Sequence, residues 1–499
     1  MTGVVMFQGT GSGVGKSLLA AGACRWLSNQ GFRVRPFKAQ NMALNSGVTP
    51  DGREIGRAQV LQAEACRVPP EVRMNPILLK PQGPGVSQLI RLGEAVGVCS
   101  ARDYYRLSQE NFQVVQQAFR SLSREADWVV LEGAGSPAEI NLQATDIVNM
   151  RMAEDAQARV IIVGDIDRGG VFAWMKGTYD LVQPRHRALI AGFLINKFRG
   201  DLTLLQPGIQ MFEELVPVPV LGVLPWREFA LEDEDSQNLR SRIIPQARRQ
   251  VVVIRTPYLS NFTDFDALKQ VPELSVRFSR NPDDLAEADL IVLPGSKNTA
   301  LDLKFLHASG MAAELLRLQG TRWICGICGG FQMLGEALDD PEGLESEGTH
   351  SGLGLLPVRT RLVPHKTLIR QHYHGLGWLG GHDWEAYEIH HGHTEWITGE
   401  TTAEAFVQES ADLGLIDRSR QVLGTYLHGF FDTPAVLERV LALIDPEPFD
   451  LPPALTTLRD QELDELAGFL EQHLDLPRLL GMRSGVVQTR DQSSERNIQ

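Results

Sequence analysis

The stretch Trp323-Ile324-Cys325-Gly326-Ile327-Cys328-Gly329-Gly330-Phe331-Gln332 constrains this chain more than any other. An apolar run stops at a cysteine, two glycines follow it, and a helical pattern (Met333, Leu334, Ala337, Leu338) takes over. That is the order strand, tight turn with a nucleophile, helix. The glycines belong there because the turn leaves no room for Cβ atoms. The layout puts the Cys328 sulfur at a helix start, where free N–H groups lower a thiol pKa and can hold an oxyanion. The competing reading of Cys325 and Cys328 as a redox pair or zinc half-site lacks a second ligand pair among the five cysteines. Cys325, on the apolar run, reads as a buried small hydrophobe.

A cysteine nucleophile needs a base. Gln421-Val422-Leu423-Gly424-Thr425-Tyr426-Leu427-His428-Gly429-Phe430 supplies an apolar strand with His428 at its mouth. The N-terminal half repeats the strand–turn–helix order. Val4 to Phe7 runs into Gln8-Gly9-Thr10-Gly11-Ser12-Gly13-Val14-Gly15-Lys16-Ser17 and then an apolar helix. This is the setting of a phosphate-binding P-loop: the backbone around Gly11, Gly13 and Gly15 cradles phosphate, Lys16 reaches the terminal phosphates, and the Ser17 hydroxyl ligates magnesium. Trp128-Val129-Val130-Leu131-Glu132 ends a buried strand in a carboxylate, placing Glu132 as a second magnesium ligand. The mouth of the strand at Val160 to Val163 carries Asp165, Asp167 and Arg168, which either face phosphate, metal or substrate or cap the loop.

With 499 residues there is room for two or three full cores. A formal net charge of −14 opposes nucleic acid or an anionic membrane as partner, so an anionic substrate needs a local basic pocket. The odd number of cysteines reads as reduced thiols in a cytoplasmic protein. No leader sequence and no membrane span is expected. The polar stretch after Trp226 marks a boundary. The expected organisation is a P-loop domain over 1–227, a linker over 228–249, a second α/β domain over 250–436, a helical extension over 437–482 and a disordered tail over 483–499.

G-I-C-G-G-F-Q and the later G-T-Y-L-H-G resemble the class I glutamine amidotransferases, a flavodoxin-like α/β fold in which the cysteine attacks the glutamine amide and releases ammonia. The resemblance implies an oxyanion hole from Gly295 or Ser296 in Leu293-Pro294-Gly295-Ser296-Lys297, with Gly329. Most of that class carry a glutamate two residues after the histidine, where this chain has Phe430, so the third triad member stays undefined. The long P-loop resembles the dethiobiotin synthetase type. That likeness puts Lys38 beside the phosphates and Asn196 of Ile195-Asn196-Lys197 near the nucleotide base. It asks for a second acid near Arg57 and Glu54, which leaves that metal ligand open. Q-N-M-A-L-N-S (40–46), Met74-Asn75-Pro76-Ile77 and S-N-F-T-D-F-D (260–266) resemble the cobyric acid synthase family. The histidine-rich segment around Tyr387-Glu388-Ile389-His390 resembles a part of its glutaminase domain rather than a metal cluster. The resemblance implies an amidoligase using ATP, Mg2+ and L-glutamine on adenosylcobyrinic acid a,c-diamide. Its nearest rival is cobyrinic acid a,c-diamide synthase. A partitioning-type ATPase is disfavoured because Gly11 stands where those proteins carry a signature lysine.

Overall fold

The computed structural model describes residues 2–83, 85–231, 239–397 and 401–482. The predicted disordered tail and the acidic run of the linker lie outside the described residues.

The N-terminal half is built on a six-stranded, wholly parallel sheet. Its order is Val34–Phe37, Trp128–Glu132, Gly3–Gly9, Arg159–Asp165, Ile190–Phe198, Val220–Pro225. Parallel strands are covered on both faces, which is why they read as unbroken apolar runs. The strand Gly3–Gly9 lies centrally, so the P-loop leaves the middle of the carboxyl edge, where such sheets bind ligands. A second, four-stranded sheet stands over that edge: Gln40–Met42, Ile77–Gly83, Val86–Arg91 and Glu94–Ser100.

The C-terminal half has a seven-stranded sheet in the order Leu274–Ser279, Arg249–Ile254, Leu290–Leu293, Trp323–Ile327, Val422–Thr425, Gly414–Asp417, Ala403–Ala405. The first five are parallel and the last two antiparallel. Cys328 and His428 follow adjacent strands, Trp323–Ile327 and Val422–Thr425. A long ribbon, Val358–His374 against Asp383–Trp396, crosses the same edge.

One local expectation fails. The helix after Cys328 is only Gly329–Leu334, and Ala337–Asp340 is a strand. Gly335 ends the helix in extended backbone, and a Cβ there would lie 2.7 Å from the Val358 carbonyl oxygen. The apolar spacing at Ala337 and Leu338 therefore serves a sheet.

The C-terminal helices divide between the two halves. Pro434–Ile444 packs into the second core through Val436, Leu437, Val440 and Leu441. Leu455–His473 instead returns to the first half and lies on the P-loop helix Lys16–Asn29. There Leu463, Leu466 and Leu470 share a core with Leu19, Ala23 and Leu27. Each such leucine contributes on the order of 2 kcal/mol by burial. The rim of this contact is polar: Asp460 pairs with the buried Arg25 at 2.5 Å, and the Trp26 indole donates to Glu471 at 3.0 Å.

Candidate active sites

At the elbow, the backbone of Cys328 has φ 50° and ψ −106°, a strained conformation for a residue with a Cβ. It is held by a 2.7 Å bond from its N–H to the Thr425 carbonyl and a 3.1 Å bond from the Gln332 N–H to its own carbonyl. The glycines around it are sterically required. A Cβ on Gly330 would sit 2.0 Å from the Leu293 oxygen, and one on Gly329 would sit 2.8 Å from the Ser296 nitrogen. The second contact brings the Gly329 and Ser296 backbones together next to the sulfur. Gly295 lies alongside, where a Cβ would be 3.3 Å from His428 Cε1.

His428 is fully buried and close enough to Cys328 for their charges to interact, while the Cys328 sulfur itself donates to the Ile389 carbonyl at 3.9 Å. Its Nδ1 is 2.7 Å from Asp264 Oδ2, and Asp264 Oδ1 also accepts from the Gly429 N–H at 3.1 Å. Burial alone pulls the imidazole pKa down, but the Asp264 carboxylate and the Cys328 sulfur outweigh it and hold His428 up to about 10. An imidazolium is the state this favours near neutral pH. The helix after the elbow has only six residues. Cys325 is also buried, and burial pushes its thiol far up, with the Asp264 charge adding to the effect.

Asp264 is the functional residue that the sequence reading left unassigned. It belongs to the quoted S-N-F-T-D-F-D stretch, in a 3-10 turn Phe262–Phe265 beside His428. Phe430 explains why no carboxylate follows the histidine. It is buried against Trp384, Phe406 and Phe431, so this position faces the core.

In the nucleotide loop, the Lys16 ammonium folds back onto the Gly11 carbonyl at 2.9 Å and lies 3.4 Å from that of Gly135. Gly13 and Gly15 have φ 71° and 101°. Glu132 is the hub. Its Oε1 accepts from the Ser17 hydroxyl at 2.7 Å and from Lys38 at 2.8 Å, and its Oε2 accepts from Gln62 at 2.5 Å. On the helix Arg57–Ala65, where a second acid was sought, the side chain meeting Glu132 is Gln62. Its Oε1 is buried without a hydrogen-bond partner. Glu54 lies elsewhere, and Arg57 does not supply an acid. Asn196 donates to the Val14 carbonyl at 2.9 Å and so holds the loop, while Lys197 joins Asp165 (2.8 Å) to the Gly13 carbonyl (2.6 Å). Asp165 is thus an ion-pair partner of the loop. Beside Gly135 opens a cavity of about 460 Å3, walled by Met42, Leu79, Tyr104, Leu142 and Val148.

The two halves meet through buried charge. Glu54 accepts from Ser46 Oγ (2.7 Å) and Lys80 (2.8 Å), and from Lys366 of the ribbon (2.5 Å). Burial would raise the Glu54 carboxyl, yet the two ammonium groups hold it well below the usual range. Burial pulls Lys366 down to about 8 and Lys297 to about 7, the neighbouring lysines adding to the latter. Burial also pulls His391 down to about 4. No group of three His, Cys, Asp or Glu among the described residues is arranged to hold a metal, and no described helix is long and apolar enough to cross a membrane.

Comparison with known proteins gives each half a relationship. Residues 5–239 match the family described as the CobQ/CobB/MinD/ParA nucleotide binding domain, and residues 250–436 the CobB/CobQ-like glutamine amidotransferase domain. The cobyric acid synthase of Yersinia enterocolitica is 44% identical over 98% of this chain and 99% of its own length. Those of Citrobacter koseri and Alkaliphilus metalliredigens are 45% and 43% identical, each over 96% of this chain and over 98% and 100% of theirs. The chain belongs to the cobyric acid synthase family. Membership makes it an enzyme with a nucleotide-binding domain joined to a glutamine amidotransferase domain, and gives the Cys328 and Glu132 clusters a shared context.

Proposed function

We propose that this member of the family uses ATP and L-glutamine to amidate the b, d, e and g side-chain carboxylates of adenosylcobyrinic acid a,c-diamide, in cobalamin biosynthesis. The observation that carries the reading is the presence, in one chain, of the buried Cys328–His428–Asp264 array and the Glu132 network beside the P-loop. Cys328 attacks the glutamine side-chain carbonyl, and His428 carries the proton to the leaving ammonia. Asp264 fixes the imidazole tautomer and stabilises its charged form. The N–H groups of Gly329 and Ser296, with Gly295 beside them, receive the oxyanion.

At the other centre Lys16, Lys38 and the loop N–H groups bind the phosphates. The donor set of Ser17, Glu132 and the unpartnered Gln62 Oε1 is all hard oxygen, which suits Mg2+. When bound, that ion offsets phosphate charge. A substrate carboxylate activated as its acyl phosphate then exchanges phosphate for ammonia. The cavity beside Gly135 supports a seat for an edge of the macrocycle, since its walls are largely apolar and the Lys16 ammonium lies 3.4 Å from the carbonyl of Gly135, one of its lining residues.

Product mass analysis with ATP, glutamine and the a,c-diamide tests the reading: four successive carboxyl-to-amide conversions are expected. Conversion instead of the a and c carboxylates of cobyrinic acid would replace it with the rival assignment. Leu142→Trp, which narrows the cavity, is expected to raise KM for the corrinoid and leave glutamine hydrolysis unchanged.

A further inference from the structure

Asn261 stands between the two halves of the molecule at the glutaminase base. It is buried, in left-handed backbone with φ 52°. Its Oδ1 accepts from the Ser46 N–H of the N-terminal half at 3.2 Å. A backbone N–H can only donate, so this bond fixes which end of the amide is oxygen. The Asn261 nitrogen therefore faces His428, 3.3 Å from Nε2 and 3.5 Å from Nδ1. An amide NH2 donates and does not accept. Nearly equal distances to the two ring nitrogens set it over the ring face rather than in the ring plane, and the π face of a neutral imidazole accepts such an N–H. Next to an imidazolium it places positive hydrogens against a positive ring. Asn261 thus opposes the effect of Asp264 and Cys328, and disfavours the charged ring that forms when His428 takes the thiol proton.

Ser46 touches the site twice. Its carbonyl oxygen lies 3.5 Å from the Tyr387 hydroxyl, and Tyr387 stacks on His428 with ring centroids 5.1 Å apart. The charged or titratable groups around the ring are Asp264, Cys328 and Tyr387, with Lys366 acting electrostatically on Cys328. Ser46 is anchored in turn by Glu54 and by Lys80, whose ammonium donates to its hydroxyl at 2.6 Å. Lys80 sits on the strand Ile77–Gly83 between Leu79 and Pro81, and both of those line the cavity beside the P-loop. A continuous set of contacts therefore runs from the cavity wall to the glutaminase base.

We propose that Asn261 is a positioning residue through which the N-terminal half restrains glutamine hydrolysis: held by Ser46, it keeps its NH2 against His428, and displacement of Ser46 when the cavity fills frees the amide to turn its oxygen to the ring. The inference rests on the glutaminase reading of Cys328 and His428. Asn261→Gly removes the amide, and glycine accepts the positive φ. The expected result is a rise of about two- to fivefold in glutamine hydrolysis without ATP and corrinoid, the worth of one weak contact of an amide N–H with the ring face. Stimulation by ATP and corrinoid shrinks by the same factor, and ammonia-dependent synthesis is unchanged. Asn261→Asp, nearly isosteric, keeps an acceptor for Ser46 and turns a second oxygen to the ring. It is expected to speed iodoacetamide alkylation of Cys328 near neutral pH, with Cys328→Ser as background, an effect a merely structural residue would not produce. Lower or unchanged basal hydrolysis in Asn261→Gly with wild-type stimulation, or unchanged alkylation in Asn261→Asp, overturns the proposal. Persistent glutamine hydrolysis in Cys328→Ala overturns the glutaminase reading instead.

Discussion

The two centres share one architecture and prepare their charge in opposite ways. Each lies where a central parallel strand turns into a helix. At Cys328 the protein supplies the charges itself: the acid, the imidazole and the sulfur are all buried, and the acid is bonded to the imidazole. At the P-loop, Lys16 rests on the carbonyls of Gly11 and Gly135, and Lys38 leans on Glu132. In the proposed function a phosphate chain takes over these partnerships. The reacting amide of glutamine is neutral and brings no charge to the sulfur, so the glutaminase must be made in advance. A phosphate chain brings its own charge, so the loop needs only donors that can be shared with it.

The sharpest way to break this contrast is to remove the sulfur. Cys328→Ala is expected to lower glutamine-dependent synthesis by roughly 10^4-fold or more, with synthesis from high ammonia retained. Ammonia-dependent product vanishing as well would mean the two centres are not separable. Lys16→Ala should cost about 10^2–10^3-fold with either nitrogen source, measured as the rate of ADP and amide formation; ammonia-driven turnover at the normal rate would remove Lys16 from the phosphate site.

Asp264→Asn tests whether the built-in charge matters. Glutamine hydrolysis is expected to fall by about 10^2-fold, whereas Cys325→Ala should be nearly neutral. The stability change also has a sign. A histidine whose folded pKa is raised to about 10 stabilises the fold fully below its unfolded value near 6.5 and loses that contribution as pH climbs to 10. The melting difference between wild type and Asp264→Asn should therefore be largest near pH 6 and fade towards pH 10. A pH-independent difference would show that the ring is neutral throughout. Phe430→Glu should yield no gain in hydrolysis and a loss of about 2–4 kcal/mol, read in denaturant melts, because it sets a carboxyl among three aromatic rings. The smallest effect on chemistry is expected from Leu470→Ala. It should destabilise the nucleotide-binding half by about 2–4 kcal/mol and leave glutamine hydrolysis untouched.

The cysteine, the histidine and the P-loop were legible because each is announced by local chemistry: glycines at a turn, an apolar run before it, a helix after it. Both α/β sheets followed from the same runs. Asp264 was not legible as a triad member, although its stretch was singled out. Its partner is far away in sequence, and only the place of the strand Arg249–Ile254 within the elbow sheet brings them together. Gln62 was missed for a different reason, since the search was for an acid and an amide oxygen is a quieter donor. The helix at Ala337 failed because two apolar residues after Gly335 fit a short strand equally well. The destination of Leu455–His473 had no sequence signal, as an apolar stripe says that a helix packs without saying on what.

That last placement bears on how the enzyme is made. The core beneath the P-loop helix includes Leu463, Leu466 and Leu470, which leave the ribosome long after the six-stranded sheet does. At ordinary synthesis rates the wait is on the order of tens of seconds. Throughout it, the face of the helix Lys16–Asn29 that meets Leu463, Leu466 and Leu470 has no cover, while the amidotransferase half is folding downstream. The nucleotide-binding half is closed by a segment that emerges only after the ammonia source has been synthesised. A ribosome that stalls or a protease that cuts before residue 455 leaves a product without its finished ATP site, and so without a means of consuming ATP in the absence of its nitrogen donor.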